Sequence, residues 1–129
     1  MQLEAGELSG WVRAFGLTQL VEVPIYFVAL GSVRLNPGLA AKRSPGMRLG
    51  VAFLCSLLTH PIVWFVFPRL INIYTHYLAM VVAAETFAVL VEAAVLARFG
   101  LHKAFWVSLL ANMSSLWCGF LLRYLVDWF

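Results

Sequence analysis

Four apolar stretches, residues 11–33, 49–67, 74–97 and 104–126, make up most of this chain. Each is close to the ~20 residues that a helix rising about 1.5 Å per residue needs to cross a hydrocarbon core. A chain in lipid must satisfy its own backbone N–H and C=O groups, so isolated spanning segments of this length are helices. Only 12% of the residues are charged, about half the share normal in a soluble domain. The sequence therefore predicts an all-α polytopic membrane protein with four transmembrane helices, forming a single domain over residues 1–129. It is in contact with the lipid bilayer, and it divides into a first hairpin at about 11–67 and a second at about 74–126.

The links between spans collect the positive charge. Arg34, Lys42, Arg43 and Arg48 lie in or beside the first link, and Arg98 and Lys103 in the third. Both links fall on one side of the membrane, against Arg13, Arg69 and Arg123 on the other. The excess of Lys and Arg in short loops marks the cytoplasmic side, which places both termini outside. Trp11, Trp64, Trp106, Tyr74, Tyr77, Tyr124 and Trp128 fall near span ends, as interfacial aromatics do. Asn36-Pro37-Gly38 and Ser44-Pro45-Gly46 read as turn signals. The acidic N-terminus lacks the basic start of a secretory signal. The cations are spread between spans rather than clustered on one face, which argues against nucleic acid as a partner. Cys55 and Cys118 both lie in apolar stretches and read as small hydrophobes.

Inside these stretches lie five polar groups that lipid would not tolerate unpaired: Glu22, His60, Glu85, Glu92 and Asn112. An ionisable side chain at membrane depth costs at least ~2.5–3.5 kcal/mol on insertion scales and marks a functional site by default. Counting along the helices puts Glu22, His60, Glu85 and Asn112 in the middle third of the membrane, with Glu92 two turns along the face of Glu85 and nearer the cytoplasm. Pro24 and Pro61 stand beside Glu22 and His60. A proline inside a helix releases the carbonyl four residues back, here those of Leu20 and Leu57, for a cation or water. Gln19 and Tyr26 share the face of Glu22 and can orient its carboxyl. Thr59, Ser56 and Ser114 are weaker candidates. In the fourth span Ser108, Asn112, Ser115 and Gly119 form a stripe of small and polar residues suited first to close helix packing.

The two hairpins echo each other. Ser56-Leu-Leu-Thr-His60 matches Ser108-Leu-Leu-Ala-Asn112, and Val21-Glu22 matches Ala84-Glu85. If this is duplication, the hairpins are parallel repeats about an axis along the membrane normal. Glu22 is then equivalent to Glu85, and His60 to Asn112.

Thr59-His60-Pro61 with Trp64, and Glu85 with Glu92, resemble the Thr-His-Pro and Glu-x6-Glu motifs of a set of small, uncharacterised prokaryotic multi-span membrane proteins. The resemblance implies a prokaryotic plasma membrane and no particular activity. Three functions fit the residues. One is a transport-related site in which Glu22, His60, Glu85 and Glu92, with Asn112 beside them, bind or relay a proton or metal ion. Another is a non-catalytic subunit or assembly factor of a larger membrane complex, or a homo-oligomer, in which the polar groups pair with one another or with partner helices. The third is an intramembrane enzyme dependent on a divalent metal held by Glu22, His60 and Glu85. No His-Glu-x2-His or Gly-x-Ser-x-Gly motif accompanies that last reading.

Overall fold

The structure, a computed structural model, describes residues 5–36, 38 and 43–127. Pro37, Lys42 and Trp128, and the acidic start at Glu4, lie outside the described residues. Helix α1 is Ala5–Gly31, α2 Pro45–Phe65, α3 the single turn Phe67–Leu70, α4 Ile73–Arg98 and α5 Ala104–Val126. Helix α3 prolongs α2, so that four membrane-length apolar helices result: α1, α2 with α3, α4 and α5. The chain is thus all-helical among its described residues, with the four expected spans. The first helix starts six residues before the apolar stretch predicted from sequence.

Helix ends follow local chemistry. Ser44 caps α2, its hydroxyl accepting from the Met47 N–H at 3.1 Å, with Pro45 at the first helical position. The Ser-Pro-Gly read as a turn is therefore a helix start, because Ser at the cap and Pro just inside it satisfy or dispense with the free N–H groups there. Asn72 caps α4 by accepting from the Tyr74 N–H at 2.9 Å. Helix α4 ends where Gly100 takes φ +84° and the Leu101 N–H reaches back to the Leu96 carbonyl. That positive φ is the cheap way to stop a helix, open to glycine. The backbone departs from helical geometry inside α4 at His76, not at a proline.

Helix α1 packs against α2 and α5, and α4 packs against the same two. The helices form a square in the order α1, α2, α4, α5, with α1 diagonal to α4 and α2 diagonal to α5. One end carries the two chain ends and the α3 link, where Arg69 pairs with Glu7 at 3.0 Å. The other carries the α1–α2 and α4–α5 links, joined by the His102 N–H donating to the Leu35 carbonyl at 2.6 Å. These are called the terminal end and the loop end below.

The interior is lined mainly by small side chains, and the large apolar ones face outward. Ala29, Ala52, Cys55, Ala84, Ala88, Ala93 and Ala111 are buried, whereas Leu20, Val28, Leu78, Trp117 and Leu125 are well exposed. Lipid is as apolar as leucine, so such helices gain little by burying leucine. They associate by close approach and by polar contacts, which small residues permit. Toward the loop end Tyr26, Leu30 and Leu96 are completely buried and close the bundle.

The loop end is locked by two arginines read from sequence only as topology signals. The Arg43 guanidinium is buried and donates to the Leu30 carbonyl at 3.0 Å, to Asn36 Oδ1 and to the Phe99 carbonyl. Leu30 and Phe99 belong to the C-terminal ends of α1 and α4, so one cation meets the negative ends of two helix dipoles. Asn36 Nδ2 donates to the Ala29 and Ser32 carbonyls at 2.6 and 2.7 Å. Arg48 lies over the Phe27 ring, 3.8 Å from its centroid, and donates to the Phe27 carbonyl. Its guanidinium crosses Gly31 so closely that a Cβ there would overlap it.

Candidate functional site: a carboxyl pair below a cavity

Glu22 and Glu92 are each 1% exposed, at mid-helix on diagonally opposed helices. Each carboxyl reaches the two helices that flank it. Glu22 Oε2 accepts from the Ser56 hydroxyl on α2 at 2.5 Å, and its Oε1 from Ser115 on α5 at 2.6 Å. Glu92 Oε1 accepts from Thr59 on α2 at 2.5 Å, and its Oε2 from Asn112 Nδ2 on α5 at 3.0 Å. The Tyr26 hydroxyl on α1 also donates to Glu92 Oε2, across the diagonal. Ser108 Oγ ties α5 to α4 through the Val89 carbonyl at 2.8 Å.

The pattern has a two-fold relation. Ser56 and Asn112 sit nearer the loop end; Thr59 and Ser115 lie one turn toward the terminal end. Glu22 takes the inner group of α2 and the outer group of α5. Glu92 takes the inner group of α5 and the outer group of α2. An axis along the bundle therefore exchanges Glu22 with Glu92, Ser56 with Asn112, and Thr59 with Ser115. The sequence echo aligned Glu22 with Glu85 and His60 with Asn112; the bonded register differs from it by about one helical turn between α2 and α5 and by about two turns between α1 and α4.

Hydrogen counting shows what the pair can do. A hydroxyl carries one hydrogen. Thr59 Oγ1 has two acceptors in reach, Glu92 Oε1 and the Cys55 carbonyl at 3.3 Å. Ser115 Oγ likewise has Glu22 Oε1 and the Asn112 carbonyl at 3.0 Å. When the carboxylate is ionised, the hydroxyl donates to it. When the carboxyl is protonated, the acid O–H donates to the hydroxyl, which turns its own hydrogen to its helix carbonyl. Both states are satisfied without moving a heavy atom. The remaining oxygen of each carboxyl faces Ser56, or Tyr26 and Asn112, in either state.

Above the pair, toward the terminal end, lies a cavity of about 310 Å³. Glu22, Glu92 and Asn112 form its floor; Pro68, Ile73, Tyr77 and Arg123, close to the helix ends, form its mouth. Glu85 and His60 lie on its wall. Glu85 is half-buried, two turns nearer the mouth than Glu92, and has no hydrogen bond or ion pair to any described residue. The His60 ring packs among Phe15, Trp11 and Trp64, and its Nδ1 has no hydrogen-bond partner among the described residues.

The structure thus brings Glu22, Glu92, Asn112, Tyr26, Thr59 and Ser115 into one network, and gives Ser56 a full part in it. Glu92, expected to lie nearer the membrane surface, is among the most deeply buried residues. Gln19 makes no hydrogen bond to Glu22: both polar atoms of its amide are buried without a hydrogen-bond partner among the described residues. Pro24 and Pro61 remain inside continuous helices and stay out of the cavity wall. The carbonyls they were expected to free belong to Leu20 and Leu57, whose side chains are exposed on the outer faces of α1 and α2. A metal centre of Glu22, His60 and Glu85 finds no support in the geometry. Among the described residues no three His, Cys, Asp or Glu side chains are placed to hold a metal ion. Glu22 has both oxygens engaged by serines, and His60 is turned into aromatic packing. Cys55 and Cys118 are free thiols, the first buried and the second partly so.

Comparison with known proteins finds no matching family model, no matching curated protein and no matching solved structure.

Proposed function

We propose that this chain is a small multi-pass protein of a prokaryotic plasma membrane that binds and exchanges protons on the Glu22–Glu92 pair as part of a transport function. The observation that carries this reading is the double bonding option of Thr59 and Ser115. Uncompensated burial of a carboxylate is costly, and a carboxyl used only as structural glue needs one bonding arrangement. Here two carboxyls each have partners for both protonation states, repeated about an axis. Glu85 is the group a proton entering the cavity meets first. The packing of Tyr26, Leu30 and Leu96 and the Arg43 lock close the opposite way out. The pair is therefore in contact with one side only, as alternating access requires of a coupled carrier. The excess of Lys and Arg at the loop end supports placing that end in the cytoplasm, with the cavity and both termini facing outward.

Infrared difference spectroscopy on the purified protein after a pH jump tests this reading. The expected result is a protonated-carboxyl carbonyl band that loses one component in Glu22→Gln and another in Glu92→Gln, together with proton flux in liposomes that both variants abolish. Bands unchanged in both variants would reject it.

A second reading has its own support. Helix α5 buries the smallest share of its spanning stretch, which leaves a face for a second copy or a partner subunit. Native extraction in lipid particles, followed by mass measurement, separates a lone chain from a complex.

A further inference from the structure

The cavity above the carboxyl pair is larger than proton exchange requires. Its volume of about 310 Å³ is at the lower end of the ~300–1,000 Å³ typical of small-molecule sites. Its wall is mostly apolar, with Leu17, Val63, Met80 and Leu116, and three aromatic side chains, Trp64, Tyr77 and Phe120, share that wall with Glu85. Three features decide what would bind there. Three carboxyls, those of Glu22, Glu85 and Glu92, line the cavity, and the one Lys or Arg side chain in its lining, Arg123, is exposed at the mouth. Glu85 has no partner among the described residues, unlike Glu22 and Glu92, whose oxygens are engaged. Among the described residues no three His, Cys, Asp or Glu side chains are placed to hold a metal ion.

We propose that this cavity is a binding site for a hydrophobic organic monocation, an aralkyl amine or quaternary ammonium, whose charged nitrogen pairs with Glu85 and whose apolar body lies against Trp64, Tyr77 and Phe120. An inorganic cation must replace its hydration shell with several oxygens, and beside the Glu85 carboxyl this wall offers only the Thr18 hydroxyl and the His60 ring among apolar and aromatic side chains. A cation carrying its own apolar body needs a single counter-charge and a surface it can wet. Aromatic faces attract such a nitrogen within about 6 Å of the ring centroid. The proposal rests on reading the cavity as the approach to the carboxyl pair, and names the cargo that would share this approach with protons.

The test is equilibrium binding of radiolabelled benzyltrimethylammonium to the full chain in lipid nanodiscs, with N,N-dimethylbenzamide as a neutral competitor of similar size. Saturable binding is expected, with the neutral compound displacing the label about tenfold less well or worse, the cost of losing one charge interaction. Glu85→Gln, checked for unchanged helix content and size, should weaken binding about tenfold, and Trp64→Ala should weaken it while Trp64→Phe retains most of it. The comparison of charged and neutral ligand needs no variant, so it stands even if a substitution disturbs folding. Equal displacement by the neutral compound would show an apolar cavity of the kind lipid chains fill, and would overturn the proposal. Absence of saturable binding, or affinity unchanged in Glu85→Gln, would overturn it as well. If those failures came with infrared bands still assigned to Glu22 and Glu92, the cargo would be wrong and the proton reading would stand. If binding held while those bands were absent, the reverse would follow.

Discussion

The Tyr26 hydroxyl on α1 donates to Glu92 on α4, across the diagonal of a bundle whose α1 and α4 backbones do not touch. This bond joins the two hairpins through the centre of the molecule. It sits where the polar network meets the apolar closure of the loop end, because the same Tyr26 ring is part of that packing. The bonding of Glu92 and the packing at the loop end thus share one side chain.

Tyr26→Phe keeps the ring and removes the donor. Leaving a buried carboxyl oxygen short of a partner costs about 1–3 kcal/mol, so the variant should unfold at lower temperature in detergent. The Glu92 infrared band should also move. A change in neither would mean that Asn112 alone suffices for that oxygen.

Thr59→Val removes the hydroxyl that serves Glu92 in both protonation states, and Thr59→Ser keeps it. Valine should shift or abolish the Glu92 band and slow proton release, and serine should restore both. Ser115→Ala should do the same to Glu22 and leave the Glu92 component in place, since the two hydroxyls serve different carboxyls.

Arg43→Ala withdraws a buried guanidinium from carbonyls at the ends of α1 and α4. Bonds made by charged groups are worth about 1.5–3 kcal/mol. The expected outcome is faster hydrogen exchange in residues 29–36 and 96–101, with the terminal-end half of the helices unaffected. Arg43→Lys should not rescue it, because an ammonium lacks the planar fork that reaches several fixed acceptors.

Gly31→Ala and Gly16→Ala should act in opposite directions. Alanine at 31 must displace the Arg48 guanidinium, and overpacking costs typically about 1–3 kcal/mol. Alanine at 16 meets no atom within 4 Å and gains about 0.8–1.0 kcal/mol of helix propensity. Thermal unfolding of the two variants side by side checks the contrast. A Gly31→Ala protein as stable as the parent would mean that Arg48 moves aside freely.

A topology reporter fused after Phe129 should read as outside the cytoplasm. A cytoplasmic signal would invert the orientation assigned to the cavity and leave the bundle itself unchanged.

The spans were legible in the sequence because lipid imposes a length and a composition on each segment separately, and residues 74–97 and 104–126 foretell α4 and α5 almost to the residue. The residues with polar work to do were legible for the same reason: Glu22, Glu92, Asn112, Tyr26, Thr59 and Ser115 stand out against an apolar background. Which of them meet was not legible, since that depends on the rotation and sliding of one helix against another. Ser56 with Asn112 and Thr59 with Ser115 are each 56 residues apart in the bonded register, whereas the Ser-Leu-Leu echo sets its partners 52 apart. The difference is about one helical turn. Such a shift leaves the same helix face turned inward, so the local pattern of apolar and polar residues hardly distinguishes the two registers. Arg43 was hidden for a related reason: its partners, Leu30 and Phe99, are carbonyls, which every residue possesses, and only the folded chain brings two helix ends to one guanidinium. The sequence by itself determined the membrane, the four helices and the polar inventory, each set by single-segment energetics. The pairing of Glu22 with Glu92, the cavity over them and the closed loop end were decided by packing between segments.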